Sequence, residues 1–354
     1  MQLRNNNATC TMQQLIEFMS VPLKKYQQNT MQQYTIPNTD LKVSRLAFGT
    51  WHLGGLWDKT PPANELKQRA VQLLQTAVDN GINHIDLADI YTMGKSDEVV
   101  GYALQQDPSL RQKIVLQEKC GIVIASNPDF GPPGRYDFSY DHIVKSVETS
   151  LSRLSTDHVE ILALHRPDPL VEYEELARAF DHLHTSGKVR YFGVSNHTAT
   201  QLELLKKHVR QPIVLNQVEL NLLHNHLISE GVLGNILGFD YANTAGLLDY
   251  CRLHEIMIQA WSPTARGDVF AAGENPTEIQ IQLAAQIASL TKIHNTTNDA
   301  IALAWLLKHP AGIQPILGTM NPERIAASTP ADDINLSRTE WYTLLEAARG
   351  QAVP

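Results

Sequence analysis

Short hydrophobic runs alternate along the chain with longer runs in which apolar residues recur every three or four positions. The first kind of run predicts a buried strand and the second an amphipathic helix. The predicted strands span residues 46–48, 83–86, 114–119, 159–165, 189–194, 213–218, 257–261 and 314–317. The predicted helices span residues 65–80, 97–105, 141–154, 173–185, 200–208, 244–254 and 298–308, and residues 322–327 begin the last one.

Eight strands, each followed by a helix, predict an α/β fold of the (β/α)8 TIM-barrel class for residues 36–354. The alternative, a doubly wound sheet, requires a glycine-rich fingerprint after its first strand, and residues 48–55 (FGTWHLGG) lack that spacing. Long loops at residues 121–140, 220–243 and 265–280 follow strands, so a barrel would gather them at its C-terminal face. Residues 1–35, rich in Gln, Asn and Thr, are predicted to be an N-terminal extension, partly disordered or packed on the outside.

Polar side chains stand at the ends of three consecutive predicted strands. Asp86 ends the second, Lys119 the third and His165 the fourth, and Tyr91 follows Asp86 by five residues. A carboxylate in a buried strand needs a partner, and in a barrel the neighbouring strand ends supply one. We therefore expect the four side chains to converge at the barrel mouth. For Asp86 alone, the competing interpretation is that it caps the next helix.

These four groups suit the protonation of an oxygen. An ammonium beside a phenol favours the phenolate, so Lys119 is expected to lower the pKa of Tyr91 from about 10 and make it a proton donor near neutral pH. Asp86 would hold the ammonium, and a neutral His165 would orient a carbonyl oxygen. Because no nucleophile stands beside an obvious base, the set favours carbonyl reduction by hydride from a bound cofactor. A hydrolase with paired carboxylates is the weaker interpretation, since the expected partner of Asp86 is Lys119.

Composition narrows the functional class. The chain of 354 residues has 29 Lys and Arg against 37 Asp and Glu, a net charge of -8, which argues against nucleic acid as a partner. No apolar run approaches the ~20 residues of a membrane span, so no membrane partner is expected. Three scattered cysteines without CxxC spacing favour a cytoplasmic protein without disulfides. His, Cys and Asp show no metal-ligand spacing, so no metal is expected.

From Ser44 to Arg349 the chain resembles the aldo-keto reductase superfamily. The matching motifs, in order, are FGTW at 48–51, DLADIY at 86–91, Lys119, LHRPD at 164–168, GVSN at 193–196, NQVE at 216–219, WSP at 261–263 and PER at 322–324. The resemblance implies a (β/α)8 barrel that uses NADPH to reduce a small carbonyl compound. It also implies a catalytic tetrad of Asp86, Tyr91, Lys119 and His165, with Tyr91 as the acid. A more distant likeness to NADP(H)-binding regulatory subunits of ion channels implies an alternative role with incidental turnover.

The same resemblance implies a set of cofactor-binding residues. They are Gly49, Thr50, Trp51, Asp86, Ser195, Asn196, Gln217, Trp261, Ser262, Pro263, Arg266, Gly318, Thr319 and Arg324. Trp261 would stack on the nicotinamide, and Arg324 would pair with the adenosine 2′-phosphate. Gly318 stands where many members have Lys, so the expected preference for NADP over NAD rests mainly on Arg324. An aromatic substrate pocket is expected from Trp51, Trp57, Phe130, Tyr136 and Phe138.

Overall fold

The computed structural model of the chain describes residues 31–125, 133–233 and 244–354. It begins with a hairpin, β1 (Gln33–Thr35) and β2 (Lys42–Ser44), whose strands pair antiparallel. Residues 33–35 of this hairpin fall within the segment predicted to be an extension. Ile36, Leu41 and Val43 share a buried cluster with residues of the barrel strands, so the hairpin packs against the barrel. The remainder of the predicted extension, residues 1–30, lies outside the described residues.

Eight parallel strands close into a barrel, which confirms the predicted fold class. These strands are β3 (Ala47–Gly49), β4 (His84–Asp86), β5 (Val115–Cys120), β8 (Val159–Leu164), β9 (Val189–Ser195), β10 (Ile213–Glu219), β11 (Met257–Trp261) and β12 (Gln314–Leu317). Each pairs with its neighbour in chain order, and β12 closes the cylinder on β3. A second hairpin, β6 (Ile122–Val123) with β7 (Arg135–Tyr136), branches from the loop after β5.

Helices surround the barrel. They are α1 (Asn64–Asp79), α2 (Lys95–Gln106), α3 (Tyr140–Leu154), α4 (Tyr173–Thr185), α5 (Ala199–His208), α6 (His226–Leu233), α7 (Leu247–Leu253), α8 (Glu278–His294), α9 (Asn298–Leu307), α10 (Pro322–Ser328) and α11 (Arg338–Arg349). In α1 the buried positions are Ala70, Leu73, Leu74 and Ala77, the spacing of a single helix face. Burial of such faces against the strands supplies the main hydrophobic stabilisation of the fold.

The last predicted helix is interrupted in the structure. After α10 a 3₁₀ turn spans Thr329–Asp332, and Pro330 within it has no amide hydrogen with which to continue a helix. The chain re-enters a helix at α11, where Ser337 and Glu340 form a capping box. A second capping box, Thr277 with Gln280, starts α8 at Glu278, so the predicted loop 265–280 ends earlier than expected. Neither α8 nor α11 was among the predicted helices.

Candidate active site

The carboxyl ends of the barrel strands open into a cavity of about 660 Å³. Strand register brings the polar strand ends to this level: Gly49 is paired with Asp86, and Asp86 with Gln117 on β5. Ser195 is paired with Gln217 on the opposite side of the barrel. The cavity volume falls in the range of small-molecule sites, and its wall combines apolar and polar groups. The barrel mouth is therefore the candidate active site.

A buried ion pair forms the floor of this site. Lys119 Nζ lies 2.5 Å from Asp86 Oδ1, and neither side chain is more than 4% exposed. The same carboxylate oxygen accepts hydrogen bonds from Nε2 of Gln117 at 3.0 Å and of Gln217 at 2.7 Å. Three donors on one oxygen compensate the burial of the carboxylate and fix its orientation. Asp86 therefore pairs with Lys119, as expected, and does not lie at a helix cap.

Tyr91 lies above this ion pair. Lys119 Nζ is 4.8 Å from the centre of the Tyr91 ring, and the His165 ring lies edge-on to it with centres 5.8 Å apart. On the open side, Trp51 packs against Tyr91 at 5.0 Å between centres. The structure therefore brings together the four side chains predicted to converge, and Asp86, Tyr91 and His165 line the cavity. Lys119, fully buried, lies behind that lining.

The pKa of Tyr91 departs from the expectation. Burial raises the pKa of the phenol well above 10, and the nearby carboxyls of Asp86, Glu118 and Asp89 raise it further. The predicted lowering was wrong for this structure, because burial outweighs the effect of the Lys119 ammonium, which is also paired with Asp86 at 2.5 Å. The phenol is consequently protonated at neutral pH, which is the form that a proton donor needs before the reaction.

His165 is held in its neutral form. Burial lowers the pKa of the imidazole well below 6.5, and the positive charges of Lys119 and Arg166 lower it further. A neutral imidazole can donate a hydrogen bond from one ring nitrogen to a carbonyl oxygen. Arg166 lines the same cavity and lies 5.9 Å from the centre of the Trp261 ring. Arg166 belongs to the LHRPD motif, one of the motifs that carry the family resemblance, but the sequence did not indicate that it belongs to the site.

Most of the residues predicted to bind a cofactor line the cavity. These are Gly49, Trp51, Asp86, Ser195, Asn196, Gln217, Trp261, Ser262, Pro263, Arg266, Gly318, Thr319 and Arg324. Thr50 is different, because it is fully buried and its hydroxyl donates to the Asp86 carbonyl oxygen at 2.9 Å. Thr50 therefore fixes the end of β4. The cavity also contacts residues that sequence reasoning did not select: His52, Thr264, Asp299, Leu303, Ile316, Leu317 and Ser328.

A connected set of hydrogen bonds orients the wall opposite Tyr91. Asn196 Nδ2 donates to Ser195 Oγ at 2.7 Å, and Asn196 Oδ1 accepts from Trp261 Nε1 at 3.2 Å. Ser195 Oγ in turn donates to the Gln217 carbonyl oxygen at 2.8 Å. Asn196 has a φ of 59°, a left-handed conformation that asparagine tolerates better than most residues. The indole of Trp261 is thereby held at the cavity wall.

Arg324 and Asp299 form an ion pair in the cavity wall. Arg324, at the first turn of α10, lies beside Gly318 and Thr319, and a Cβ at Gly318 would meet nothing within 4 Å. Arg324 Nη2 is 2.6 Å from Asp299 Oδ1, and both side chains line the cavity. Asp299 lies in the first turn of α9 and carries no sequence signal that separates it from an ordinary helix N-terminal acid.

The predicted aromatic pocket is only partly correct. Trp57 packs on Trp51 with ring centres 4.9 Å apart at the exposed rim. Phe138 instead lies in the core and stacks on His197, and Tyr136 is an exposed residue of β7. Neither lines the cavity. Phe130 lies outside the described residues.

Sequence reasoning missed a chain of glutamines inside the barrel. Gln117 and Gln217 both donate to Gln259 Oε1, at 2.8 and 3.1 Å, and Gln259 Nε2 donates to Gln314 Oε1 at 2.8 Å. Gln314 Nε2 ends the chain on the Ser44 carbonyl oxygen at 2.7 Å. We name these four side chains the glutamine ladder. It links Asp86 at the mouth to the opposite end of the barrel.

Comparisons with known proteins agree with this arrangement. Residues 45–349 match the Aldo/keto reductase family. The chain belongs to the aldo-keto reductase family. It is 37% identical to an uncharacterized oxidoreductase, YcsN, of Bacillus subtilis, over 89% of this chain and 97% of that protein. It is 34% identical to a 6-dehydroglucose reductase of Agrobacterium fabrum, over 88% and 97% of the two chains.

A solved structure gives the same result for the fold. The crystal structure of the thermostable aldo-keto reductase Tm1743 with the inhibitor epalrestat superposes with a TM-score of 0.71 at 26% identity, covering 90% of this chain and all of that one. As a member of the family this protein is an oxidoreductase. In the described ranges no helix is long and apolar enough to cross a membrane, and no three His, Cys, Asp or Glu side chains form a metal-binding group.

Proposed function

We propose that this protein is an NADPH-dependent reductase that converts an aldehyde or ketone to an alcohol, with Tyr91 as the proton donor. The observation that carries the proposal is the meeting of Tyr91 and His165 above the buried Lys119–Asp86 pair, at the wall of the cavity. Arg324 lines the same cavity. An acid and a cation in one cavity suit a carbonyl compound and an anionic cofactor.

The cavity wall fits a dinucleotide. Trp261 offers an aromatic surface held by Asn196, and it lines the same cavity as Tyr91. Both nitrogen-bound hydrogens of the Gln217 side chain have partners, so its amide is fixed in orientation next to Asp86. The open space at Gly318 and the guanidinium of Arg324 suit phosphate groups. NADPH, when bound, supplies the hydride.

In the proposed reaction, Tyr91 donates its phenolic proton to the carbonyl oxygen of the substrate. Neutral His165 donates a hydrogen bond to the same oxygen and orients it. Phenolate forms on Tyr91 as the proton leaves, and the ammonium of Lys119, 4.8 Å from the ring centre, stabilises that charge. Asp86 keeps Lys119 in place through the 2.5 Å contact. Trp51 packs on the open side of Tyr91 and excludes water from it.

The preference for NADPH over NADH rests on Arg324. Its guanidinium is 46% exposed in the cavity and can form a charge-assisted pair with a 2′-phosphate. A hydrogen bond to a charged group contributes about 1.5–3 kcal/mol, which corresponds to roughly 10- to 150-fold in affinity. Arg324→Gln should therefore weaken NADPH binding by that factor and leave NADH binding nearly unchanged. Equal losses for both cofactors would contradict a role for Arg324 in phosphate recognition.

The class of substrate is proposed from the relatives and the rim. The relatives in Agrobacterium fabrum and in Novosphingobium aromaticivorans are named 6-dehydroglucose reductases, at 34% and 32% identity. Exposed Trp51 and Trp57 offer apolar ring surfaces for the C–H face of a sugar, and Arg166 offers hydrogen-bond donors for hydroxyl groups. A carbohydrate that carries an aldehyde or ketone is the substrate class we propose.

The test replaces Tyr91 by Phe. NADPH oxidation is measured against a panel of aldehydes, ketones and oxidised sugars, and NADPH affinity is measured by quenching of tryptophan fluorescence. Because general acid catalysis contributes about 10²–10⁴-fold, Tyr91→Phe should lower kcat by at least that range with unchanged affinity. Tyr102→Phe is the control, since Tyr102 on α2 accepts a hydrogen bond from Gln68 at the surface.

Two results would contradict the proposal. Retained turnover in Tyr91→Phe would exclude Tyr91 as the acid. Tight NADPH binding by the wild-type protein with negligible turnover across the panel would favour the cofactor-binding regulatory role instead.

A further inference from the structure

Three carboxyl groups that the proposed reaction does not use are buried behind Tyr91. Asp89 lies between β4 and Tyr91, Asp97 lies in the first turn of α2, and Glu118 precedes Lys119 on β5. Their exposed fractions are 6%, 0% and 1%. Burial of one carboxyl is costly, and three in one place require either counter-charges or bound protons. We name these three residues the carboxyl cluster.

The carboxyl cluster is short of hydrogen-bond donors. Asp97 Oδ2 accepts from Ser150 Oγ at 2.9 Å, and Glu118 Oε1 accepts from the Lys119 amide at 2.9 Å. The second oxygens, Asp97 Oδ1 and Glu118 Oε2, and also Asp89 Oδ1, are buried without a hydrogen-bond partner among the described residues. An ionised carboxylate demands donors on both oxygens, whereas a protonated one carries its own hydrogen.

Among the described residues, two cations, Arg153 and Lys119, act on the three carboxyls of the cluster. Arg153, from the last turn of α3, is the cation that acts most strongly on both Asp89 and Asp97. Lys119 faces Asp89 and Glu118, but it is already paired with Asp86. The remaining facing groups are the carboxylate of Glu98 on α2, the thiol of Cys120 and the phenol of Tyr91, none of which adds positive charge.

Titration behaviour agrees with this count of charges. Burial raises the pKa of Asp89 to about 7 and that of Asp97 to about 8. Burial also raises the pKa of Glu118 well above its ordinary value, and Asp97 and Asp89 raise it further. At neutral pH the cluster therefore keeps protons, and it loses them as the pH rises through the range in which an enzyme assay can be run.

The backbone connects the cluster to Tyr91. Directly after Tyr91, Thr92 and Met93 have φ values of 49° and 66°, which are costly for residues other than glycine. The Arg153 guanidinium supports this turn from below: Nη1 donates to the Asp89 carbonyl oxygen at 3.3 Å, and a Cβ on Gly94 would lie 2.4 Å from Arg153 Cζ. The cation that faces the cluster is thus also the support of the turn that carries Tyr91.

We propose that the carboxyl cluster of Asp89, Asp97 and Glu118 holds protons at neutral pH and that its ionisation weakens Tyr91 as an acid. The proposal rests on the proposed function of Tyr91. Each negative charge that appears behind the ring stabilises the neutral phenol, so it opposes proton donation to the substrate. The three side chains are positioning residues in this account, because they touch neither substrate nor cofactor. Tyr91 therefore becomes a weaker acid as the pH rises and the cluster loses its protons.

The test compares Asp97→Asn with Glu98→Gln. Both variants remove one carboxyl from the first turn of α2, but Asp97 is fully buried in the cluster and Glu98 is exposed. The first readout is the infrared band of protonated carboxyl groups in the folded protein at pH 7.5. Wild type should show this band, Asp97→Asn should lose part of it, and Glu98→Gln should keep it. This readout does not depend on turnover.

The second readout is the pH profile of kcat for reduction. In wild type kcat should fall as the cluster ionises at alkaline pH. Asp97→Asn locks one site neutral, so the fall should become smaller. Because Asp97 then no longer raises the pKa of Glu118, the midpoint of the remaining fall should move downward by about 0.5 pH. Glu98→Gln should move the midpoint less, because Glu98 is exposed and solvent screens most of its effect on Asp97. Glu118→Gln is the second variant if Asp97→Asn does not fold, and it should shift the midpoint in the same direction.

The outcomes are separable. Absence of the infrared band in wild type would contradict the proposal that the cluster holds protons, whatever the role of Tyr91. A band that responds to Asp97→Asn, with an unmoved kcat profile or a change in KM alone, would overturn the link to Tyr91. Retained turnover in Tyr91→Phe would remove the proposed function, and the infrared result would still decide whether the cluster holds protons.

Discussion

Breaking the buried Lys119–Asp86 pair should be among the most costly single changes in this protein. Asp86→Asn leaves the shape of the side chain and removes its charge, so the Lys119 ammonium remains buried without a counter-ion. Lys119 is 0% exposed at its side chain and Asp86 is 4% exposed. Removal of one partner of a buried pair costs about 3–5 kcal/mol. We expect Asp86→Asn to lower the free energy of unfolding by that amount.

The chain contains a matched control for this change. Lys188 Nζ lies 2.5 Å from Glu148 Oε1, the same distance between the same chemical groups, but with side chains 30% and 51% exposed. Exposed pairs contribute about 0–1 kcal/mol, so Glu148→Gln should cost little. The difference between the two variants then measures the effect of burial together with the hydrogen bonds that Asp86 accepts from Gln117 and Gln217, since charge type and separation are equal.

The measurement is urea unfolding followed by circular dichroism, for both single variants and for Asp86→Asn combined with Lys119→Met. The slope of the unfolding free energy against urea should be unchanged, so that midpoints compare stabilities. The double variant should be more stable than the sum of the two single losses predicts, because it removes both buried charges. Equal, small losses for Asp86→Asn and Glu148→Gln, or strict additivity, would refute the view that Asp86 chiefly neutralises Lys119.

Three further results are expected. Burial lowers the pKa of His84 to about 4, so the unfolded chain takes up a proton before the folded one as the pH falls from about 6.5. Between pH 7 and 5 the free energy of unfolding, measured with urea, should therefore fall by about 2 kcal/mol more in wild type than in His84→Gln. Gly101→Ala places a Cβ 2.0 Å from a carbonyl oxygen of α3, so this overpacking should lower the free energy of unfolding by at least about 1–3 kcal/mol. Gly231→Ala, whose Cβ would meet nothing within 4 Å, should not destabilise the protein, and thermal unfolding compares the two variants. Asp299→Asn removes the carboxylate beside Arg324 and should tighten NADPH binding by roughly 2- to 5-fold without a matching change for NADH, measured by fluorescence titration.

The barrel could be predicted because each strand carries its own local signal. The predicted strand at 314–317 coincides with β12, and the end of β4 at Asp86 was predicted from a carboxylate within an apolar run. The helix α7 begins later than predicted, because Gly246 before it has a φ of 67° and interrupts the helical backbone. Local pattern therefore gave the identity of these elements more reliably than their ends.

The parts of the site that were missed depend on contacts between distant residues. Gln117 and Gln259 are 142 residues apart, and nothing in either local pattern indicates that their side chains meet. The pKa of Tyr91 was predicted with the wrong sign for the same reason. The prediction considered Lys119 alone, whereas the sum of burial, a neutralised ammonium and the carboxyls of Glu118 and Asp89 decides the result. Long-range electrostatics require the three-dimensional arrangement.

The glutamine ladder makes the geometry of the mouth dependent on a residue with no access to it. Gln259 receives hydrogen bonds from Gln117 and Gln217 and passes one to Gln314, so it is the junction between the reacting end and the closed end of the cylinder. An apolar residue of similar size at position 259 would leave amide hydrogens of Gln117 and Gln217, which also donate to Asp86, without an acceptor. The orientation of Asp86 therefore depends on a side chain in the middle of the barrel, and substitution of Gln259 should be tolerated as poorly as substitution of the reacting groups.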